Sequence, residues 1–451
     1  HRRTHTRTHA HTHTDMAHLL GRGGEHQRGR LPDASRYGEQ LPFAEPSWSQ
    51  GYRSPYYSAT HQAFRAKLRD YLDEHVKPNL DDWIESPAGY PKEIHEHFYR
   101  AGFLGSIFPV EFGGTPPEDF DSFHELILWT EIARLGGGGM FGQMSINSMA
   151  LPPVTKFGSQ EMKDEVCRAV ITGKKNICLA ISEPTAGSDV ANIQTTAERR
   201  TNARGEEVFV INGNKKWITG GMMADWFTMA VRTSNTQGAK GLSLVLVPAK
   251  SPGIRIRKMK TQPDNSHNTT FIILEDVEVP VRNLIGKEGA GFAMIMNNFN
   301  HERFVIAAGA LGFARYAYEL SMKEALQRRT FGKRLVEHQV IRAKLAEMAR
   351  LVEAGWDNLE RCCYQFKMGV PDSQLGGMCA LLKVNASKTF EFCAREAAQI
   401  FGGSSVVREG RGLLIERLYR EVRATAIPGG SEEILLDLAI KQAVRFGLSR
   451  M

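Results

Sequence analysis

The spacing of apolar residues changes twice along this 451-residue chain, and this change constrains the fold more than any other feature. From about Ala59, apolar residues such as Phe64 and Leu68 recur at three- and four-residue spacing, which predicts amphipathic helices. Between about Cys178 and Asn283 the period becomes two, and helical spacing then returns. The pattern predicts an α+β multidomain fold with an N-terminal α-helical domain (55–177), a middle β domain of barrel-like or sandwich type (178–286) and a C-terminal four-helix bundle (287–451).

Shorter runs give more detailed expectations within these domains. Residues 208–211 run into Asn212-Gly213 and then into residues 216–219. Asn-Gly between two strand-like runs is a strong hairpin signal because both residues tolerate positive φ, so we expect a turn there. Glycines 136–139 lack the spacing of a phosphate loop and predict a flexible connection. The four predicted C-terminal helices cover residues 292–325, 338–368, 375–401 and 432–446.

The first 54 residues lack this periodicity. Residues 1–14 form a His/Thr repeat, and residues 16–54 are rich in Gly, Arg, Pro and Ser, so little apolar surface offsets the entropy of ordering them. Residues 1–54 are therefore predicted to be a disordered low-complexity extension and linker. Neither the His-rich tract nor the six cysteines, which contain no CxxC pair, is assigned a metal.

The net charge of +7 invites a nucleic-acid interpretation, but its distribution argues against one. Residues 1–36 hold seven arginines against three acidic residues, so the remaining chain carries only +3. No basic helix and no basic-aromatic pattern appears, which makes nucleic acid an unlikely partner. No apolar run approaches the roughly 20 residues that a bilayer-spanning helix needs, so we expect no membrane span.

Two segments of the middle domain carry groups suited to a phosphate or a flat heterocycle. Residues 180–189 read AISEPTAGSD, where Ser182, Ser188 and the backbone at Gly187 offer donors in a loop. Trp217 and Thr219 are two residues apart, so they point to the same face of a strand. An ordinary Ser/Thr-rich turn and a core tryptophan are the alternatives, and these residues alone leave both open.

Together with four further segments, these motifs resemble the acyl-CoA dehydrogenase family. The similarity covers about residues 59–446, and it is carried by residues 180–189, 211–221, 275–292, 307–312, 328–339 and 399–403. The resemblance implies an FAD-dependent oxidoreductase of lipid metabolism and fatty acid β-oxidation. It also implies an acyl-CoA substrate and a homodimer or homotetramer.

The resemblance assigns cofactor roles to particular positions of this sequence. It implies that Ser182, Gly187 and Ser188 hold the pyrimidine edge and pyrophosphate of FAD, that Trp217 packs on the isoalloxazine, and that Thr219 bonds N5. A further set would complete FAD sites, mostly that of a neighbouring subunit; it comprises Arg328, Phe331, Gln339, Gln399, Gly402, Gly403 and Ser431. Ser405 stands where the family usually has glycine.

At the catalytic base the sequence departs from the commonest family pattern, a glutamate followed by glycine before the last helix. Gly429 occupies that place, so only its backbone N–H could reach the thioester oxygen. Isovaleryl-type and long-chain members carry the base on the first long helix of the bundle beside an arginine, and Glu302 with Arg303 matches that position. A carboxylate in a dry pocket suits α-proton removal, because burial raises its pKa. We expect Glu302 to be the base, with Glu432 or Glu433 as the rival.

Three functions remain open from the sequence. The first is dehydrogenation of an acyl-CoA to a trans-2-enoyl-CoA, with electrons passing to an electron-transfer flavoprotein. The others are an acyl-CoA oxidase that uses oxygen, and a non-catalytic flavoprotein or nucleic-acid-binding relative. The terminal Ser449-Arg450-Met451 resembles a peroxisomal address, so the peroxisome is preferred slightly over the mitochondrial matrix. The length and branching of the acyl chain are not predicted.

Overall fold

The computed structural model describes residues 38–448, which form helices, then a sheet, then helices again. The predicted α+β order is confirmed. Residues 1–37 and 449–451, which include the His/Thr repeat and the Ser449-Arg450-Met451 address, lie outside the described residues. Within the described part of the chain, no helix combines the length and apolarity needed to cross a membrane.

The N-terminal region is helical and shares its core with the C-terminal helices. Fully buried side chains of this region, among them Phe123 and Trp129, belong to the same apolar cluster as Phe304 and Phe313 further along the chain. The helices are α1 (Ala59–Tyr71), α2 (Leu80–Glu85), α3 (Ile94–Arg100), α4 (Ser122–Ala133), α5 (Gly138–Ala150), α6 (Pro152–Phe157) and α7 (Gln160–Ile171).

Residues 38–54 pack against these helices, so the prediction of a disordered linker is wrong for this segment. Glu45 is buried and forms ion pairs with both Arg65 and Arg69 of α1. The two guanidinium groups also lie 2.7 Å from the carboxylate of Glu131 on α4. Trp48 is buried beside them. Burial of a charge is tolerated when it is paired, which explains how a polar segment can be part of the folded domain.

The middle region is one sheet with the order β6-β7-β3-β2-β4-β5-β8, and β1 pairs in parallel with β4. The strands β2 and β3, β3 and β7, and β4 and β5 pair antiparallel. The strands are β1 (Ile177–Ala180), β2 (Thr196–Thr201), β3 (Glu207–Ile218), β4 (Trp226–Arg232), β5 (Leu242–Pro248), β6 (Ile254–Lys258), β7 (Thr270–Pro280) and β8 (Leu284–Ile285).

Asn212-Gly213 lies inside β3, so the predicted hairpin turn is wrong. The strand β7 pairs with β3 on both sides of this dipeptide, and the register shifts between Ile211 and Gly213. Gly213 has a φ of 146°, and Asn212 Oδ1 accepts the backbone N–H of Asp276 at 2.8 Å. The dipeptide therefore forms a β-bulge, because a single partner strand pairs with both of its flanks.

The C-terminal region contains one helix more than predicted. The helices are α8 (Gly291–Gln327), α9 (Gln339–Lys367), α10 (Asp372–Phe401), α11 (Leu413–Ala426) and α12 (Glu432–Leu448), and a short hairpin of β9 (Arg329–Thr330) and β10 (Lys333–Arg334) joins α8 to α9. The sequence prediction omitted α11. The central helix α10 packs against the other four, and Leu435 and Ala439 fix α12 to its surface.

Candidate active site

A buried ion pair fixes the loop that follows β1. Lys215 of β3 and Glu183 of the loop are both buried, and Lys215 Nζ lies 2.8 Å from Glu183 Oε1. Lys215 also donates to the carbonyl of Ile181 at 3.0 Å, and the Glu183 carboxylate accepts the backbone N–H of Thr195. Sequence reasoning missed this pair, because nothing in the local pattern shows that residues 32 apart in the chain meet.

The predicted FAD residues of this loop lie beside the end of β3. The Ser182 carbonyl accepts the backbone N–H of Lys216 at 2.9 Å, which brings Ser182 next to Trp217. Gly187 and Ser188 are exposed, and no described atom lies within 4 Å of a Cβ placed on Gly187. Open space next to a free hydroxyl group fits a phosphate of the cofactor.

Trp217 adopts a backbone conformation that bulky residues rarely take. Its φ is 68°, its side chain is 53% exposed, and Lys216 Nζ lies 4.5 Å from the ring centroid. Strain of this kind persists only where the surroundings enforce it, and it clusters at ligand sites. An exposed indole fits the flat ring of FAD. Thr219 is half-buried two residues later, and a Cβ placed on Gly142 of α5 would lie 3.8 Å from its methyl carbon.

The charged cluster of Asp264, His267 and Glu421 is buried behind Thr219. The His267 carbonyl accepts the backbone N–H of Gly220, and His267 Nε2 lies 2.7 Å from Glu421 Oε2. Burial opposes the charged imidazole, but the Glu421 carboxylate outweighs it and raises the pKa of His267 to about 9. Glu421 Oε1 accepts the Asp264 N–H at 3.0 Å. The side-chain atoms of this cluster that could bind a metal ion are thus engaged in hydrogen bonds within the protein.

This cluster also explains the glycines before α5. The helix begins at Gly138, so the prediction of a flexible connection over residues 136–139 is wrong for its last two positions. A Cβ on Gly138 would lie 2.0 Å from a carboxylate oxygen of Glu421, and one on Gly139 would lie 2.0 Å from Ser266 Oγ. These glycines therefore permit close packing of α5 on the cluster.

The positions predicted to contact a neighbour's FAD begin where α8 ends. Arg328 Nη1 donates to the carbonyl groups of Ile400 and Phe401 at 3.3 and 3.1 Å, which brings it to the end of α10. Gly402 follows directly, and a Cβ placed on Gly403 meets no described atom within 4 Å. Ser405 fits here without disturbance, because its hydroxyl donates to the Gly402 carbonyl at 2.8 Å.

The remaining predicted contacts with a neighbour lie on the surface. Phe331 is 95% exposed at the tip of the β9–β10 hairpin and has a φ of 51°. Its ring packs edge-on against His338, which immediately precedes Gln339. Both Gln339 and Gln399 are exposed. With Trp217, Phe331 is a second strained aromatic residue at a predicted cofactor position. The donors, open glycines and exposed rings together fit FAD.

Glu302 has the environment expected of a catalytic base. It lies on α8 with 8% of its surface exposed, and its Oε2 atom is buried with no hydrogen-bond partner among residues 38–448. Burial raises the pKa of Glu302 to about 7, although the positive charges of Arg303, His301 and Lys383 oppose this shift. A buried acceptor without a partner is destabilising, so its retention favours a role toward a ligand.

The turn around Gly429 is bonded to the helix that carries Glu302. Arg303 Nε donates to the Gly429 carbonyl at 3.0 Å. Lys383 is fully buried and donates to the carbonyl groups of Ala426 and Gly430. Gly429 has a φ of 69°, and a Cβ placed on it would lie 2.8 Å from Ile306 Cδ1. This turn therefore favours glycine and leaves little room for a second carboxylate side chain.

The rival bases are in different surroundings. Glu432 accepts a hydrogen bond from Ser387 Oγ at 2.6 Å and lies 3.8 Å from Lys388 Nζ. Glu433 is exposed in the first turn of α12. Ser431 is half-buried just before this helix, and its carbonyl accepts the N–H of Leu435. Glu432 therefore stabilises the start of α12, whereas Glu302 keeps an unpaired oxygen.

Models of known families match almost the whole described chain. The N-terminal, middle and C-terminal domains of acyl-CoA dehydrogenase match residues 58–174, 178–277 and 289–444 respectively. Each match begins and ends close to one of the helical or sheet regions described above. The three domains occur in the order in which the structure shows them.

Individual relatives agree with these models. The chain is 39% identical to the acyl-CoA dehydrogenase apdG of Emericella nidulans, over 90% of this chain and 95% of that one. It is 29% identical to CarC, a subunit of the caffeyl-CoA reductase-Etf complex of Acetobacterium woodii, over 84% and 97%. A structure of an acyl-CoA dehydrogenase from Bacillus anthracis complexed with FAD is 26% identical, covers 88% of this chain and 69% of its own, and has a TM-score of 0.79.

Proposed function

This chain belongs to the acyl-CoA dehydrogenase family, and from that premise we propose that it converts an acyl-CoA thioester into a trans-2-enoyl-CoA with Glu302 as the base. The family is FAD-dependent, so the expected cofactor and the oxidoreductase class are confirmed. The observation that carries the proposal is the buried Oε2 atom of Glu302, which has no hydrogen-bond partner in the described part of the chain and lies on the helix that Arg303 bonds to the Gly429 turn.

Glu302 removes the proton from the carbon α to the thioester. The α C–H bond breaks, its electron pair forms the α–β double bond, and a hydride leaves the β carbon. When bound, FAD supplies the acceptor for that hydride. Because burial raises the pKa of Glu302 to about 7, its carboxylate is a stronger base than an exposed glutamate.

The Gly429 turn binds the thioester oxygen. Arg303 and Lys383 donate to three carbonyl groups of residues 426–430 and so fix the shape of the turn, and the backbone N–H of Gly429 is the group that binds the substrate. Both cations also act on Glu302 electrostatically and therefore lie near the reacting atoms. Fixed donors and positive charge at this place stabilise the negative charge that develops on the thioester oxygen.

The active form is a homodimer or a homotetramer. Arg328, Gly402 and Gly403 meet at one end of the C-terminal helices, and the Phe331 ring is almost fully exposed. An aromatic side chain held exposed on a backbone with positive φ favours a site of contact with a ligand or a subunit. Each subunit therefore completes the FAD site of its neighbour. Sedimentation of the FAD-loaded protein tests this arrangement, and a monomer that retains FAD would contradict it.

The electrons pass to an electron-transfer flavoprotein. The named association of the Acetobacterium relative CarC with an Etf complex supports this partner. As in fatty acid β-oxidation, the product is an enoyl-CoA. An assay with purified electron-transfer flavoprotein tests the acceptor, and rapid hydrogen peroxide release under air, with no reduction of the flavoprotein, would assign the chain as an oxidase instead.

An anaerobic titration tests the dehydrogenation itself. The FAD-loaded protein is mixed with acyl-CoA thioesters from short branched to long straight chains, and loss of the oxidised flavin's visible band is followed. We expect bleaching by a subset of the panel, with the matching enoyl-CoA recovered by chromatography. A bound flavin that no acyl-CoA in the panel reduces would refute the proposed function.

A further inference from the structure

One face of α8 connects Glu302 to an aromatic cluster deeper in the protein. Glu302, Ile306, Gly309 and Phe313 follow each other at spacings of four, three and four residues, so they share one face of the helix. Ile306 lies under the Gly429 turn. Gly309 lies under Phe141 of α5, where an added Cβ would be 2.4 Å from the tip of the ring. Gly309 therefore allows the Phe141 ring to lie directly against the α8 backbone.

Phe141 is held firmly in this place. Its side chain is buried, and its ring centroid lies 6.1 Å from that of Trp129 and 5.8 Å from that of Phe313, edge-on in both cases. Buried aromatic pairs in this geometry are attractive beyond the area they bury. A ring fixed by two such neighbours and by the α8 backbone cannot easily turn aside.

The helices α5 and α8 run antiparallel beside each other. Asn298 Nδ2 donates to the Met149 carbonyl at 2.7 Å near one end, and Phe141 lies on Gly309 near the other. Gly142, the neighbour of Phe141, faces Thr219 on the predicted flavin side. The interface between α5 and α8 therefore lies beside both the proposed base and the predicted flavin position.

The two directions along α8 from Glu302 differ in polarity. Toward the start of the helix, Asn298 and Asn300 donate to the carbonyl groups of Met149 and Asp372, which suits the polar end of a CoA thioester. Further along the helix, residues 306–314 are apolar or glycine, beginning with Ile306. A pocket for an acyl chain is lined mostly by apolar side chains, so the chain runs toward Gly309.

We infer that Phe141 forms the floor of the acyl pocket and excludes long acyl chains. This inference rests on the proposed function, because it takes Glu302 as the point where the α carbon binds. Gly309 lies seven residues beyond Glu302, which is about 10 Å along a helix. An acyl group longer than this distance meets the Phe141 ring, with Trp129 and Phe313 closing the space behind it.

The test compares chain-length profiles of the wild type and Phe141→Ala. Anaerobic flavin reduction is measured with butanoyl-, octanoyl- and dodecanoyl-CoA. We expect the wild type to react with butanoyl- and octanoyl-CoA and to react far more slowly with dodecanoyl-CoA. Phe141→Ala should raise the ratio of the dodecanoyl to the butanoyl rate by at least about tenfold, the scale that apolar pocket contacts give per added group. If Phe141→Ala does not fold, Phe141→Leu is used instead. Leucine keeps an apolar side chain at this position but is smaller than the phenylalanine ring, so the ratio should change in the same direction.

Phe390→Ala is the matched control. Phe390 of α10 is fully buried and packs on Phe313 at 5.3 Å, one ring further from Glu302. Its removal should lower the melting temperature but leave the chain-length ratio unchanged. A Phe390→Ala variant that gains dodecanoyl-CoA activity as strongly as Phe141→Ala would show that general loosening, and not the Phe141 floor, sets chain length.

A binding measurement separates failure of this inference from failure of the proposed function. Calorimetry with trans-2-enoyl-CoA products of the same chain lengths measures the affinity of the pocket for each chain without turnover. If no acyl-CoA reduces the flavin, but the shorter enoyl-CoA products bind tightly and dodecenoyl-CoA does not, the proposed reaction is refuted and the Phe141 floor is retained. Equal affinity of the wild type for butenoyl- and dodecenoyl-CoA, or a ratio that Phe141→Ala leaves unchanged, would overturn the inference.

Discussion

Arg303 Nε donates to the carbonyl oxygen of Gly429 at 3.0 Å, and this bond connects the two positions at which the resemblance to the family predicts a base. On one side of it lies Glu302, buried and with an unpaired oxygen. On the other lies a glycine with positive φ, where a Cβ would approach Ile306. Position 302 therefore keeps the carboxylate, and the glycine at position 429 leaves the adjoining turn without a side chain.

The rate of flavin reduction by an acyl-CoA should rise with pH through about 7. The base acts only when deprotonated, and burial raises the pKa of Glu302 to about 7. Stopped-flow measurements between pH 5.5 and 9 should give a rate that increases and then levels. Glu432→Gln should show the same profile. A rate that falls across this range in the wild type would contradict the assignment.

Glu302→Gln should stabilise the protein at alkaline pH. The folded-state pKa of Glu302 is raised from 4.5 to about 7, so its favourable contribution is complete below pH 4.5 and is lost as pH rises through 7. We expect Glu302→Gln to exceed the wild type in unfolding free energy by at most about 3 kcal/mol at pH 8 and to match it near pH 4.5. Urea unfolding at the two pH values measures this, with the exposed Glu433→Gln as control. Equal stability at pH 8 would indicate that Glu302 is not buried as a charge.

Glu421→Gln should destabilise the protein most at pH values below 9. This change removes the carboxylate that His267 Nε2 contacts and leaves Asp264 as the nearby negative charge, and loss of one partner of a buried pair costs about 3–5 kcal/mol in comparable cases. The pKa of His267 is raised from 6.5 to about 9, so the contribution of the pair is complete below pH 6.5 and is lost as pH rises through 9. Thermal unfolding from pH 6.5 to 10 should show the difference shrinking.

The control for this pair is Glu391→Gln. Glu391 of α10 pairs with Arg423, which lies on α11 together with Glu421, but both side chains are 46% exposed. Exposed pairs contribute little, so we expect a change below about 1 kcal/mol. Equal effects of the two substitutions would mean that the His267–Glu421 pair has no special role in fixing α11 to the loop that carries His267.

Sequence periodicity predicted the order of helices and sheet but not the tertiary pairings that override local patterns. Asn212-Gly213 has hairpin chemistry, yet β7 pairs with both of its flanks and turns it into a bulge. The helix α11 was missed, although Glu421, which supports the Thr219 side of the site, lies on it. Such contacts join residues far apart in the chain, and local patterns do not report them.

The residues of the candidate site also fall into two groups, those that the sequence indicates and those that depend on tertiary packing. The prediction of Glu302 as the base came from the resemblance to the family, through its neighbour Arg303 and the glycine at 429, which are both visible in the sequence. The Glu183–Lys215 pair, the Lys383 contacts with the Gly429 turn and the Phe141–Gly309 contact depend on packing between domains or distant elements. The packing of residues 38–54 could not be predicted either, because their composition does not indicate the partners of Glu45.

Glu45→Gln should destabilise the N-terminal domain by about 3 kcal/mol. Removing its charge leaves Arg65 and Arg69 with Glu131 as their remaining shared partner in a buried network. Thermal unfolding at pH 7 measures the change, and Glu74→Gln, whose side chain is 75% exposed, serves as the control with an effect near zero. An unchanged melting temperature for Glu45→Gln would mean that the charge of Glu45 does not contribute to holding residues 38–54 on the domain.

The most direct test of Glu302 is the rate of flavin reduction in matched variants. Wild type, Glu302→Gln and Glu432→Gln are loaded with FAD, checked for equal cofactor content, and mixed anaerobically with the best acyl-CoA of the panel. Glu432→Gln should retain a rate close to that of the wild type, and Glu302→Gln should be slower by about 10³-fold, within the usual range for loss of a general base. Flavin reduction in Glu302→Gln at the wild-type rate would contradict the assignment of Glu302 as the base.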